Sequence, residues 1–274
     1  MSRIAARFAA VKSQGRGALI PFLEAWDPDK ATSMEIFRGM PAAGADLIEI
    51  GMPFTDPMAD GPIVQAAGKR GLAAGVKVRD VLTMVRDFRQ QDEATPVILM
   101  GYLNPILSYG PEKFCVDAAS AGVDGLIIVD LPTEEADLML PAMKANDLDL
   151  IRLVAPTTDD ERMPLVLNGS SGFVYYVAIT GITGTRSASS EQLALAIPRI
   201  RKVTDLPIAI GFGVRTPAQA AEASKVADAA VVASALIETL SHHLDPDGHA
   251  RPGAAAMVLD QVRGLAAAVR GTRV

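Results

Sequence analysis

Short apolar runs alternating with segments of helical composition constrain this chain more than any other feature. The runs are Ala18–Ala25, Ala45–Gly51, Val97–Tyr102, Gly125–Asp130, Asp149–Ala155, Gly172–Ala178, Pro207–Phe212 and Ala229–Ser234. Helical periodicity falls between them at Ser33–Ala42, Val78–Gln90, Pro111–Ala121, Glu134–Lys144, Ser190–Lys202 and Pro217–Lys225. Near-continuous Val, Ile and Leu strands separated by helices predict a parallel sheet buried on both faces. Eight such strands are the number that closes a (β/α)8 TIM barrel, the α/β fold expected here. A doubly wound open sheet is the competing architecture, but the G-x-G-x-x-G turn expected after its first strand is missing.

The ends of the chain fit the same plan. A helix at Ser2–Lys12 precedes the first strand and is placed to plug the barrel floor, and Ala254–Val269 reads as the last covering helix. Asp80 marks a helix start, while Gly71 and Gly122 lie where helices should stop. Asp245-Pro246-Asp247-Gly248 is a turn between two helical stretches. With no linker, repeat or low-complexity tract, residues 1–274 read as a single TIM-barrel domain.

Charge narrows the partners. Lys and Arg number 26 against 32 Asp and Glu, a net charge of −6, which disfavours nucleic acid and anionic membrane surfaces. No run approaches the roughly 18 apolar residues of a membrane span. Arg7 interrupts the only apolar run near the N-terminus, so no signal peptide is expected. Cys115 is the single cysteine and has no internal partner for a disulfide. A soluble, cytoplasmic protein is the expectation.

Catalytic groups of such barrels project from the C-terminal strand ends. On the second strand Leu47, Glu49 and Gly51 share one face, and Ile48 and Ile50 the other. With the isoleucines under the helices, Glu49 points into the barrel, where desolvation raises its pKa and suits acid–base work. The bland alternative is a strand-end Glu that reaches solvent. Asp60 has two readings of equal weight, since Asp60-Gly61 is also a turn dipeptide in a proline-rich loop. Residues 181–187 supply glycines and hydroxyls for an anion cradle or a mobile lid. Gly211-Phe212-Gly213 and Ala233-Ser234-Ala235 follow the strands whose loops usually hold phosphate, with Ser234 reading as a helix N-cap, with or without a ligand. No lysine falls at a strand's C-terminal end, which disfavours a Schiff base. His242, His243 and His249 cluster late, so no metal is expected at the mouth.

Residues 47–62, Leu-Ile-Glu-Ile-Gly-Met-Pro-Phe-Thr-Asp-Pro-Met-Ala-Asp-Gly-Pro, closely resemble the signature of the tryptophan synthase α-subunit family. The likeness continues through Ile63-Val64-Gln65, Met100–Pro105, Asp130-Leu131-Pro132, Gly181–Gly184 and Gly211–Val214. It implies a TIM barrel that cleaves indole-3-glycerol phosphate to indole and glyceraldehyde 3-phosphate. It implies that Glu49 handles the proton at indole C3 and the glycerol hydroxyl, and that Asp60 holds the indole N–H. Phe22, Met100, Ile127, Tyr175 and Phe212 would surround the ring. Gly184, Gly213 and Ser234 would bind phosphate, with Thr183 on a loop closing over Asp60. No cofactor is implied in this chain. A β-subunit partner carrying pyridoxal phosphate is implied, in an α2β2 heterotetramer, with Pro53, Asp56 and Asn104 facing it.

Two features depart from the family pattern. Leu23-Glu24-Ala25-Trp26-Asp27-Pro28 stands where a Thr-Ala-Gly-Asp-Pro-like stretch is usual, and Ala233 where glycine is common. Glu24 and Trp26 are expected to change pocket shape, turnover or coupling to the partner, and Ala233 to weaken phosphate binding. Two other functions stay open at this point. One is another phosphate-binding barrel, an isomerase or epimerase, and the other a non-catalytic module that activates a β subunit. A lid at residues 181–190 would shield Arg186 from trypsin once a phosphate ligand binds.

Overall fold

The apolar runs form parallel strands β1 (Ala18–Glu24), β2 (Ile48–Gly51), β3 (Val97–Gly101), β4 (Gly125–Ile128), β5 (Asp149–Leu150), β6 (Arg152–Val154), β7 (Val174–Val177), β8 (Ile208–Gly211) and β9 (Ala229–Val232). The structure is a computed structural model, and it describes residues 2–178, 190–211 and 213–272. The strands follow the order β5-β4-β3-β2-β1-β9-β8-β7-β6 around a nearly closed barrel. The single fifth strand expected from the sequence is two segments meeting at Ile151. β5 pairs with β4 and β6 with β7, so this one run serves both neighbours and completes the wall.

Helices α1 (Arg3–Ser13), α2 (Lys30–Ala43), α3 (Pro62–Ala73), α4 (Val78–Arg89), α5 (Leu103–Tyr109) and α6 (Pro111–Ala121) occupy the first half. The second half carries α7 (Leu140–Ala145), α8 (Met163–Leu167), α9 (Ser190–Arg201), α10 (Pro217–Val226), α11 (Ser234–His242) and α12 (Ala254–Arg270). α1 closes the floor as expected. Ser2 accepts from the Ala5 amide as its N-cap, and Ile4, Phe8 and Val11 join the barrel-interior cluster with Phe173, 5.7 Å from Phe8 between ring centroids.

Three expectations need correction. Gly71 does not end a helix but lies inside α3, where a Cβ would run into the Ala25 carbonyl oxygen. The stop is Gly75, whose φ of +88° is a conformation glycine adopts without strain. The segment 134–144 is not one helix, because a 3-10 turn (Thr133–Leu138) precedes α7, which starts afresh with Pro141 in its first turn. Helices α5 and α8 were not expected at all. Gly68 and Gly71 lend α3 the composition of a loop, yet they let it approach β1 closely. Gly122 does terminate α6 with φ +93°, as expected.

Alternation along the strands sorts the core. Leu19, Leu23, Ile48, Ile50 and Leu99 pack outward under the helices, while Ile20, Leu47, Ile98, Ile127 and Val231 fill the interior. At the floor a repeated polar device ties strand starts together. Asp46, Asp124 and Asp228 each accept from the backbone N–H of a neighbouring strand's first residues and each pair with an arginine. These carboxylates are structural, and the chemistry lies at the other end.

Candidate active site

Ile48 and Ile50 pack beneath the helices, so the period of the strand turns Glu49 into the barrel. Register sets it beside Phe22 of β1, at the base of a cavity opening at the C-terminal strand ends. Glu49 is fully buried and neither of its oxygens has a hydrogen-bond partner among the described residues. Burial pushes its pKa up to about 8.

Asp60 reaches the same cavity from the loop between β2 and α3. The turn reading of this residue holds, since its amide donates to the Pro57 carbonyl at 3.3 Å, and the residue also lines the pocket. The Gln65 side chain of α3 donates to the Asp60 carbonyl at 2.9 Å and steadies that turn. Burial raises the Asp60 carboxyl to about 6, and a hydrogen bond from the Tyr102 hydroxyl offsets part of the rise. The Ala59 amide donates in turn to the Tyr102 oxygen at 3.0 Å. Two carboxyls in one cavity are thus poised differently, which is how one site separates acid from base.

Phe22, Met100, Val129 and Tyr175 line the apolar wall of the cavity. Ile127 does not line it. It is fully buried in the interior cluster beneath, and Val129, two residues further along the chain, reaches the cavity instead. Phe212, Thr183, Gly184 and Arg186, with the rest of the 181–187 loop, lie outside the described residues.

At the opposite rim Gly213, Ala233 and Ser234 line the cavity. Gly213 has φ +88°, and α11 begins at Ser234. Ser234 is therefore not the N-cap expected. Ala233 holds that position, with no side chain to cap, and the first amides of the helix lie at the cavity, where an anion is stabilised. Arg215, which the sequence reading missed, lines the same rim and pairs with Glu238 of α11. A cation directly after the Gly-Phe-Gly-Val stretch was the available signal.

Glu24 and Trp26 part company. Glu24 lines the cavity, but Trp26 does not, which corrects the expectation that both shape the pocket. The Trp26 ring packs on the outer core with Lys30 above it at 5.7 Å, and its backbone takes φ +60°, where glycine would be unstrained. Among the described residues, Asp245, Asp247 and His249 are the group whose ligand atoms cluster closely enough for a metal. They sit on a turn outside the cavity lining, where Asp245 already accepts from the amides of the other two.

Fold and site together describe a barrel of enzyme type, whose cavity at the C-terminal strand ends sets carboxyls of raised pKa beside an apolar wall and the start of a helix. The family described as "Tryptophan synthase alpha chain" matches residues 8–265, and the chain belongs to it. The tryptophan synthase alpha chain of Granulibacter bethesdensis is 70% identical over 273 residues, covering 100% of this chain and 98% of the relative. That of Acidiphilium cryptum is 67% identical over 273 residues, covering 100% and 99%. Among solved structures, the tryptophan synthase subunit alpha of Legionella pneumophila superposes with a TM-score of 0.89 at 35% identity, covering 98% of each chain. A tryptophan synthase structure from Mycobacterium tuberculosis gives 0.88 at 36%, again covering 98% of each.

The chain is accordingly a lyase that cleaves indole-3-glycerol phosphate to indole and glyceraldehyde 3-phosphate in tryptophan biosynthesis. Its partner is a β subunit in an α2β2 complex, and pyridoxal phosphate belongs to that subunit. Membership decides against the isomerase or epimerase and against the non-catalytic module. No helix among the described residues is long and apolar enough to cross a membrane.

Proposed function

We propose that Glu49 is the group that both gives and takes the protons of the cleavage, with Asp60 as its anionic counterpart at the indole nitrogen. A carboxyl with a pKa near 8 is protonated at neutral pH and can deliver its proton to indole C3. That step leaves positive charge on the ring nitrogen. Asp60, ionised above about pH 6, accepts the N–H hydrogen bond and stabilises the charge. The Glu49 carboxylate formed in the first step then takes the proton of the hydroxyl on the carbon attached to the ring. The O–H electrons become the aldehyde C=O, and the carbon–carbon pair returns to the ring and restores neutral indole. Proton gain and loss balance at one residue, and the ring is its own electron sink.

Phe22, Met100, Val129 and Tyr175 hold the ring, and Gly213 and Ser234 meet the phosphate at the helix N-terminus. The resemblance adds Thr183, Gly184 and Phe212 to these sets. The observation that carries this reading is Glu49, a fully buried carboxyl without a partner, facing a cavity that a second perturbed carboxyl shares. Pro53, Asp56 and Asn104 are assigned to the β-subunit face. Asp56 and Asn104 are exposed and Pro53 half-buried, and the loop between β2 and α3 includes Met58, an apolar side chain 80% exposed. We assign the chain to the cytoplasm as one folded domain, in keeping with its lone buried thiol at Cys115 and its continuous core.

Indole release from indole-3-glycerol phosphate by the native chain and by Glu49→Gln, each with the β subunit, is the test. Loss of release in the variant with substrate binding retained is the expected result. Equal rates in the two would remove Glu49 from the chemistry.

A further inference from the structure

Strand β1 lies between β2 and β9 in the barrel. The acid–base carboxyls come from β2 and its loop, and the phosphate rim, Ala233 and Ser234, follows β9. A substrate held at both must run its three-carbon chain past the C-terminal end of β1. The inward-facing residue there is Glu24, two positions beyond Phe22 and opposite Gly51 in register. It is 4% exposed, and what remains exposed faces the cavity it lines. Its carboxyl occupies the space over Gly51, which a side chain there would fill, with Gly68 of α3 on the far side. No hydrogen bond joins the carboxyl to any described residue.

A buried polar group without a partner costs stability, and such groups are found paired with protein, with ordered water or with a ligand. The roles given to Glu49 and Asp60 leave Glu24 unused. They also leave one polar group of the substrate unclaimed. Asp60 takes the ring N–H, Glu49 the hydroxyl on the ring-bearing carbon, and the β8 and β9 loops the phosphate. The hydroxyl on the middle carbon remains. We propose that Glu24 is a substrate-contacting specificity residue that hydrogen-bonds this middle hydroxyl as the carbon chain passes the end of β1. Burial, with the charges of Asp60 and Asp27 nearby, raises the pKa of Glu24 well above the carboxylate range. The neutral acid both donates and accepts, which matches a hydroxyl. This inference rests on the proposed roles of Glu49 and Asp60 and adds a third residue to them.

The reverse reaction tests it, because the aldehyde can be varied. Indole condenses either with glyceraldehyde 3-phosphate or with 3-oxopropyl phosphate, which lacks the middle hydroxyl. The readout is the ratio of kcat/KM for the two aldehydes, measured on the full chain with its β subunit and no other substrate supplied. The native ratio is expected to favour glyceraldehyde 3-phosphate by about tenfold or more, since a site built for a hydroxyl rejects the analogue without it. Glu24→Gln, which still donates and accepts, keeps most of that preference. Glu24→Met, similar in size and apolar, lowers the ratio by about tenfold. Comparing variants on the same pair of aldehydes cancels their difference in intrinsic reactivity. If Glu24→Met slows both aldehydes by the same factor, Glu24 is structural and the proposal is overturned. If native and Glu24→Met share one ratio, it is overturned as well. A native chain that consumes indole with neither aldehyde would overturn the roles of Glu49 and Asp60 along with it.

Discussion

The Glu24 carboxyl rests over Gly51 of the neighbouring strand, in space that a side chain at position 51 would fill. A Cβ built there lies 2.6 Å from the tip of the Phe22 ring and 2.8 Å from the Glu24 carboxyl carbon. Gly51→Ala must therefore displace a cavity carboxyl and a ring-wall residue together. Overpacking of this kind costs about 1–3 kcal/mol. We expect chemical denaturation to show that loss, and kcat/KM to fall at least about tenfold because both displaced groups line the cavity. Full activity in Gly51→Ala would mean that the substrate touches neither.

The split between Asp60 and Glu49 sets a pH profile. Glu49 must start protonated and Asp60 ionised, so kcat/KM should rise through about pH 6 and fall through about pH 8. The Tyr102 hydroxyl donates to the Asp60 carboxylate and favours its charged form. Tyr102→Phe removes that bond, so the rising limb should move to higher pH while the falling limb stays. Measuring kcat/KM from pH 5 to 9 for both proteins checks the sign. A rising limb that moved to lower pH would exclude the hydrogen bond as the cause.

The same shift makes Glu49 a cost to the fold. Its pKa is about 8 folded, against 4.5 for a free side chain, so the native state binds the extra proton between those values. Stability contributed by the protonated form is intact below about pH 4.5 and is lost as pH rises to about 8. The magnitude is a few kcal/mol. Glu49→Gln removes the titration, so thermal unfolding should show the variant gaining on the native chain as pH is raised from 5 to 8. A gap in Tm that is constant over this range would show that Glu49 ionises as easily folded as unfolded.

Glu49 was legible because a two-residue period needs only Ile48 and Ile50 to fix which way it points. The same period on β1 turns Glu24 inward with Phe22, but a carboxyl at a strand end also reads as solvated, and the emptiness beside it depends on Gly51 of another strand. The resemblance put Ile127 at the cavity; alternation gives the face that Ile127 and Val129 share and not the depth, and it is Val129 that reaches the cavity. The end of helix α3 was misplaced because Gly71, needed for close approach to the Ala25 carbonyl just beyond β1, is also the residue type that marks a helix stop. The break at Ile151 was equally invisible. The run pairs with β4 through Asp149-Leu150 and with β7 through Arg152–Val154, and no local pattern encodes that division.

At the floor, Asp124 concentrates several strand-tying bonds in one side chain. Its carboxylate accepts from Arg3 at 3.0 Å, from Arg89 at 2.7 Å and from the Val97 amide at 2.8 Å, and the residue is 5% exposed. Arg89 is itself largely buried, and burial lowers its pKa while Asp124 holds it up. Asp124→Ala takes the counter-charge from that guanidinium, which keeps only backbone carbonyls, and leaves the Val97 amide without its carboxylate. Breaking a buried pair on one side costs about 3–5 kcal/mol. The site lies at the other end of the barrel, so the surviving folded fraction should keep the native KM. Urea unfolding followed by kinetics at a permissive temperature separates the two effects. A stability loss below about 1 kcal/mol would show that Asp124 ties nothing together.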